Sequence, residues 1–165
     1  MVEQTKVDAA SQGEKYYATP SITVDAIVTK KNDNAHDILL ITRGRDPFKG
    51  FYAFPGGFVD YGEDPPNACI RELKEECCVD GVQPELICVA GEPNRDPRKH
   101  VISIVYSVMV DQNAQVAAGD DAATAKWYDL KTIMGDEKTY PFAFDHKKIL
   151  NTFLEKKLPQ YLNKQ

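Results

Sequence analysis

The stretch FPGGFVDYGEDPPNACIRELKEECCV, Phe54 to Val79, passes from a proline and two glycines through an acidic turn and a Pro-Pro pair into a run of helical character. Pro65 and Pro66 are compatible with a helix only in its first turn, where an N–H has no intrahelical partner, so the helix is expected from about Pro65 to Cys77. At about 100° per residue, Glu72, Glu75 and Glu76 project within an arc of roughly 100°, and Ile70, Leu73 and Cys77 cluster on the other side. The spacing predicts one buried face and one carboxylate face. Between Gly56 and Asp80 stand seven acids, Asp60, Glu63, Asp64, Glu72, Glu75, Glu76 and Asp80, against two bases, Arg71 and Lys74. Two carboxylates about 6 Å apart repel by roughly 3 kcal/mol at an effective dielectric of about 20. A partly buried cluster of this kind calls for a countercharge. Hard divalent cations such as Mg²⁺ or Mn²⁺ take oxygen ligands and bridge carboxylates to phosphates, and Arg71 is placed to orient Glu72 through a fork-like contact. Charge patterning alone leaves a solvated acidic face as the alternative.

Working outward, SITVDAIVT around Ile22 to Val28 and the apolar run Ile38 to Ile41 read as two strands separated by a turn at Lys30 to Asn34. A loop containing a short strand, Tyr52 to Phe54, leads into the helix. Pro84 to Ala90, Val101 to Val110 and Lys126 to Leu130 are further strand candidates, and the near-continuous VISIVYSVMV suits a central strand. Leu150, Phe153, Leu154 and Leu158 fall at helical spacing and predict a C-terminal amphipathic helix. Strands, helix, strands, helix is a mixed α/β arrangement without regular βαβ alternation. Neither Gly-x-Gly-x-x-Gly nor Gly-Lys-Ser/Thr occurs, which argues against dinucleotide reductases and phosphate-loop enzymes.

The chain has 165 residues, enough for one domain over residues 19–165 preceded by a polar arm, residues 1–18, expected to be flexible. Its net charge of −5 argues against a nucleic-acid partner, whose affinity rests on basic patches. No apolar run resembles a signal peptide or reaches membrane-spanning length, so a cytoplasmic location without a membrane partner is expected. Cys69, Cys77, Cys78 and Cys88 lack zinc-site spacing and read as reduced thiols, mostly small core fillers.

Gly57, five residues, Glu63, seven residues, then Arg71-Glu72-Leu73-Lys74-Glu75-Glu76-Cys77-Cys78-Val79 resembles the Nudix box. Cys78 stands where that family usually has glycine, at a helix end where a left-handed backbone is cheap for glycine. The resemblance implies a Nudix fold, an α/β/α sandwich with a mixed β-sheet, and metal-dependent hydrolysis of a nucleoside diphosphate linked to another group. It implies Glu72, Glu75 and Glu76 as ligands to Mg²⁺ or Mn²⁺, the Gly57 carbonyl as a fourth, and Glu63 and Arg71 as supporting members. For the base that activates water it leaves two candidates open: Glu72, or a carboxylate on a later loop that offers Asp120 and Asp121. Thr124 stands where relatives often have a glutamate.

Three segments bear on substrate: RDPFKGFYAFPGGFVDYGE, the loop Glu92 to His100, and Phe142-Ala143-Phe144-Asp145-His146. Together they resemble the ADP-ribose pyrophosphatase branch of the family. Arg95, Arg98, Lys99 and His100 offer cations and donors to a diphosphate or a terminal ribose, or form only a solvated basic turn. Arg43 and Arg45 face either phosphates or solvent. Phe48, Phe51 and Tyr52 are candidates for stacking on adenine, with core or lid packing as the alternative. ADP-ribose cleavage to AMP and ribose 5-phosphate is thus the leading expectation. A diphosphatase of oxidised nucleoside triphosphates and a non-catalytic ADP-ribose sensor are the alternatives. Relatives often pair, which makes a homodimer compatible with the reading.

Overall fold

The computed structural model describes residues 18–32, 35–119 and 122–159. The expected arm falls almost entirely outside them, as do Asp120 and Asp121. The elements run β1 Ser21–Ile27, β2 Thr29–Asn32, β3 Ala35–Arg43, β4 Tyr52–Ala53, β5 Gly56–Phe58, α1 Pro65–Cys77, β6 Gly81–Ala90, β7 Val101–Val110, β8 Ala122–Asp129, α2 Leu130–Gly135 and α3 His146–Lys157.

The β layer consists of two four-stranded sheets. In the first, with order β5-β1-β7-β6, β1 and β7 are parallel while β5 and β6 join antiparallel, so the mixed character lies here. In the second, β3 pairs antiparallel with β2, β4 and β8. The sheets meet through Leu39 N–H donating to the Val28 carbonyl at 2.9 Å.

Strand alternation sends successive side chains to opposite faces, and β3 shows how this makes two cores. Leu39 and Ile41 join Ala68, Cys69, Leu73 and Cys77 of α1, whereas Ile38 and Leu40 join Leu130 and Ile133 of α2 and Ile149, Leu150, Phe153 and Leu154 of α3. With α1 on one side of the strands and α2 and α3 on the other, the molecule is an α/β/α sandwich. Full burial of each such aliphatic side chain contributes about 1.5–3 kcal/mol before entropy is counted.

Three elements depart from the sequence expectations. Lys30 to Asn32, read as turn, extend β2, whose side chains are exposed or half-buried and so give no alternating signal. Gly56–Phe58 pairs with β1 as β5 although glycine disfavours strands, because a Cβ on Gly56 would come within 2.1 Å of the Val24 carbonyl oxygen. Leu130, expected to end a strand, begins α2, a six-residue helix capped by the Asp129 carboxylate on Thr132 N–H at 2.7 Å.

Candidate active site

Helix α1 has the predicted limits, Pro65 to Cys77. Of the predicted buried face Leu73 and Cys77 pack into the core with Ala68 and Cys69, while Ile70 is half-buried and Glu76 of the carboxylate face is itself buried. It ends where Cys78 adopts a left-handed backbone, φ 58°, and its N–H donates to the Lys74 carbonyl at 2.9 Å. Cys69 and Cys77 are buried, and burial pushes the Cys69 thiol up to about 12, which leaves it inert as a nucleophile. The Cys78 side chain is exposed.

Arg71 is the hub of the carboxylate face. Its Nε and Nη2 donate to the two Glu63 oxygens at 2.9 and 2.8 Å, Nη1 donates to Glu72 at 2.7 Å and to Glu75 at 3.2 Å, and Nη2 also donates to the Phe58 carbonyl at 3.0 Å. This fork pulls the Glu63 carboxyl down to about 2, helped by Asp60 N–H, and raises the guanidinium's own hold on its proton. Burial pushes the Glu72 carboxyl up against the opposing pull of Arg71. Glu76 is buried and accepts from Gly56 N–H at 2.9 Å, while Glu75 is about half exposed.

The two glycines before the acidic turn have a packing reason to be there. A Cβ on Gly57 would lie 2.4 Å from the Glu72 carboxylate, so only glycine lets that side chain settle against β5. Behind the helix end, Gly119 N–H donates to the Glu76 carbonyl at 2.9 Å, and a Cβ there would meet the Glu75 carbonyl oxygen at 1.7 Å.

Glu72, Glu75 and Glu76 line a cavity of about 550 Å³. The same cavity is lined by Arg43, Arg45, Arg95, Arg98 and Phe144, and Asp25 and His146 also line it. Arg95 is almost wholly buried, with three contacts of 2.6 to 3.2 Å to the Asp145 carboxylate. It props the wall, and its donors are directed at Asp145. Arg98 grips the buried Asp96 with its Nε and Nη2 at 3.0 and 2.7 Å yet remains 44% exposed. The Phe144 ring lies 4.8 Å from the Arg43 guanidinium and 5.9 Å from that of Arg98, so one aromatic ring lies near both cations. Arg43 is tied by Nε to the Pro47 carbonyl at 2.8 Å, and burial lowers its pKa.

Two expected substrate residues lie elsewhere. Phe51 is half-buried against Phe48, ring centroids 5.7 Å apart, and packs on the core beneath the cavity wall. His100 is exposed with Nε2 3.3 Å from the Gly91 carbonyl, because alternation at the start of β7 turns Val101 into the cavity and its neighbour out. Tyr52 packs edge-on to Tyr128 at 5.3 Å. The aromatic residues that do line the cavity are Phe54, Phe58 and Phe144. Phe144 stands in a segment singled out in the sequence, but nothing local reveals that both arginines rest on it. Asp121 lies outside the described residues.

The donor set fits a hard divalent cation. Seven acidic side chains line the cavity, Asp25, Asp46, Asp60, Glu72, Glu75, Glu76 and Asp96, against four arginines, and a diphosphate entering it would add further negative charge. Among the described residues no three ligating side chains already converge on one point. A cation bound by Glu72 and Glu75 would compete with Nη1 of Arg71 for them.

In this α/β/α sandwich the clustered glutamates of α1 and four arginines line one cavity. A NUDIX domain model matches residues 19–153, and the chain belongs to the Nudix family. It is 41% identical over 140 residues to the ADP-ribose pyrophosphatase of Methanocaldococcus jannaschii, covering 85% of this chain and 76% of that protein. It is 30% identical over 136 residues to the ADPR responsive transcriptional repressor NtrR of Acinetobacter baylyi, covering 81% of this chain but 53% of the repressor. Its fold superposes with a TM-score of 0.76 on the NUDIX domain of Shewanella oneidensis NrtR solved with ADP ribose, at 26% identity over 85% of this chain and 90% of that one. Among the described residues no helix is long and apolar enough to cross a membrane.

Proposed function

We propose that this protein hydrolyses ADP-ribose to AMP and ribose 5-phosphate, with Mg²⁺ or Mn²⁺ held by Glu72, Glu75, Glu76 and the Gly57 carbonyl. The observation that carries this reading is the pairing, across one cavity, of the α1 carboxylates with arginines seated on Phe144. The relationship to a pyrophosphatase of ADP-ribose supports the substrate. When bound, the cation supplies charge neutralisation of phosphoryl oxygens and a more acidic water. Arg98 and Arg45 bind the diphosphate or the terminal ribose, and Arg95 keeps their wall in place through Asp145. Arg71 orients Glu72 and Glu75, and Glu63 locks the far side of the guanidinium. The water oxygen bonds to one phosphorus as the bridging P–O bond breaks, and the bridging oxygen leaves with the other phosphate. A carboxylate takes the water's proton. Glu72, on the cavity wall, is the described residue suited to this role.

Phosphorus NMR of ADP-ribose incubated with the protein and Mg²⁺ should show AMP and ribose 5-phosphate appearing together. Intact ADP-ribose alongside conversion of an oxidised nucleoside triphosphate to its monophosphate and pyrophosphate would overturn the assignment. The similarity to the repressor favours a second reading, in which ADP-ribose is bound and sensed without cleavage. Against it stands the full set of box glutamates, and tight binding without products in the same experiment is the outcome that would favour it.

A further inference from the structure

At the edge of the cavity, Asp25 and His146 belong to a buried polar cluster that, among the described residues, makes no hydrogen bond to the box side chains. His146, the first residue of α3, is 4% exposed, Asp25 of β1 is 7% and Ser103 of β7 is fully buried. The Phe54 N–H donates to His146 Nδ1 at 3.1 Å, and the Phe54 ring stacks on the imidazole at 5.0 Å and 13°. With Nδ1 accepting, the neutral ring carries its proton on Nε2, which faces Asp25 Oδ1 at 3.6 Å. Ser103 Oγ–H donates to the other Asp25 oxygen in a short contact. Burial keeps the imidazole's pKa below its ordinary value although Asp25 pulls the other way, in keeping with a neutral ring. Three polar side chains in one buried spot carry a desolvation cost that an apolar trio would not. Packing alone does not explain them.

What the cluster touches supplies a reason. Phe54 leads through the bend at Pro55 into β5 at Gly56 and Gly57. One residue on, the Pro55 carbonyl accepts from Ala26 N–H at 2.8 Å. The next N–H, of Gly56, donates to Glu76, and Gly57 leaves the space into which Glu72 settles. The segment is thus pinned at three successive residues, and its first pin comes from a helix about 90 residues away in the chain.

We infer that His146, steadied by Asp25 and Ser103, is a positioning residue that holds the Phe54–Gly57 segment against α1 and so sets the geometry in which Glu72 and Glu76 receive the cation. This rests on the metal reading proposed above. His146 acts through the Phe54 amide and takes no part in bond making. The analogy is with outer-shell groups that orient a metal ligand, whose loss commonly weakens metal binding 10- to 100-fold, about 10-fold being expected for one hydrogen bond removed from the ligand.

The test uses the full chain without substrate. Mn²⁺ affinity is measured from the electron paramagnetic resonance signal of the free ion, and hydrogen exchange is followed at the Phe54 and Gly56 amides. His146→Leu keeps bulk but has no acceptor; it should weaken Mn²⁺ binding about 10-fold and deprotect both amides. His146→Asn puts an oxygen near the position of Nδ1 and should restore affinity and protection towards wild type. His146→Gln puts its acceptor near the position of Nε2 and should behave like His146→Leu. If His146→Leu does not fold by circular dichroism, the Asn and Gln variants carry the comparison. Equal Mn²⁺ affinity in those two, or wild-type affinity in a folded His146→Leu, overturns the inference while leaving the metal reading intact. Wild-type protein that binds no Mn²⁺ refutes the metal reading itself, and the inference with it.

Discussion

The two walls of the cavity are built on opposite plans. The acidic wall is local: Gly56, Gly57, Glu63, Arg71, Glu72, Glu75 and Glu76 lie within one short segment, where Arg71 ties Glu63, Glu72 and Glu75 and the Gly56 N–H holds Glu76. The basic wall is assembled from three distant segments, around Arg43, Arg95 to Arg98 and Phe144, and its central ion pair joins Arg95 to Asp145 fifty residues away. A local wall can be moved from chain to chain as a motif. A dispersed wall can be altered one segment at a time, which suits it to choosing the substrate.

The sharpest way to break this division is Glu76→Gln. The amide keeps an acceptor for Gly56 N–H but loses the charge, so turnover of ADP-ribose should fall about 100-fold or more while the melting temperature stays near wild type. Arg95→Ala should do the reverse. Removing one partner of a buried ion pair costs about 3–5 kcal/mol, so urea unfolding should show a large loss of stability, with activity falling through loss of folded protein. A smaller effect is expected from the exposed member of that wall: Arg98→Ala should raise KM for ADP-ribose about tenfold with kcat little changed, the equivalent of one charge-assisted hydrogen bond. The smallest effect concerns acid stability. Because the Glu63 carboxyl is held down to about 2 in the folded state, its stabilising contact with Arg71 is fully present above the ordinary carboxylate range and is lost as pH falls through about 2. The melting-temperature gap between wild type and Glu63→Gln should therefore be present at neutral pH and close in strong acid. A gap unchanged by pH would show that the fork matters only for shape.

The same division explains what could be read from the sequence. The limits of α1 were legible because prolines and helical spacing are short-range features, whereas the left-handed backbone at Cys78, where the sequence offers no glycine, was not. The Arg71–Glu72 contact, between adjacent residues, was legible for the same reason. Strand β5 was not, since its two glycines are there to make room for Val24 and Glu72, which only the folded chain brings close. The seating of Arg43 and Arg98 on Phe144, and the diversion of Arg95 to Asp145, depend on contacts across half the chain. His100 and Phe51 were misplaced because the face of a strand and the depth of a loop are tertiary outcomes. His146 stood in a quoted motif, but its partner is a backbone N–H, which leaves no mark in composition.

The parallel pairing of β1 with β7, Ser21 opposite Val101, carries a kinetic consequence. Some eighty residues must be looped before those strands touch, and that closure entropy is met before any contact rewards it. Helix α1 with its arginine fork needs no such closure. During refolding, the carboxylate helix should gain structure while the floor bearing Asp25 and Ser103 is still open, so cation affinity should lag behind helical signal in a stopped-flow experiment.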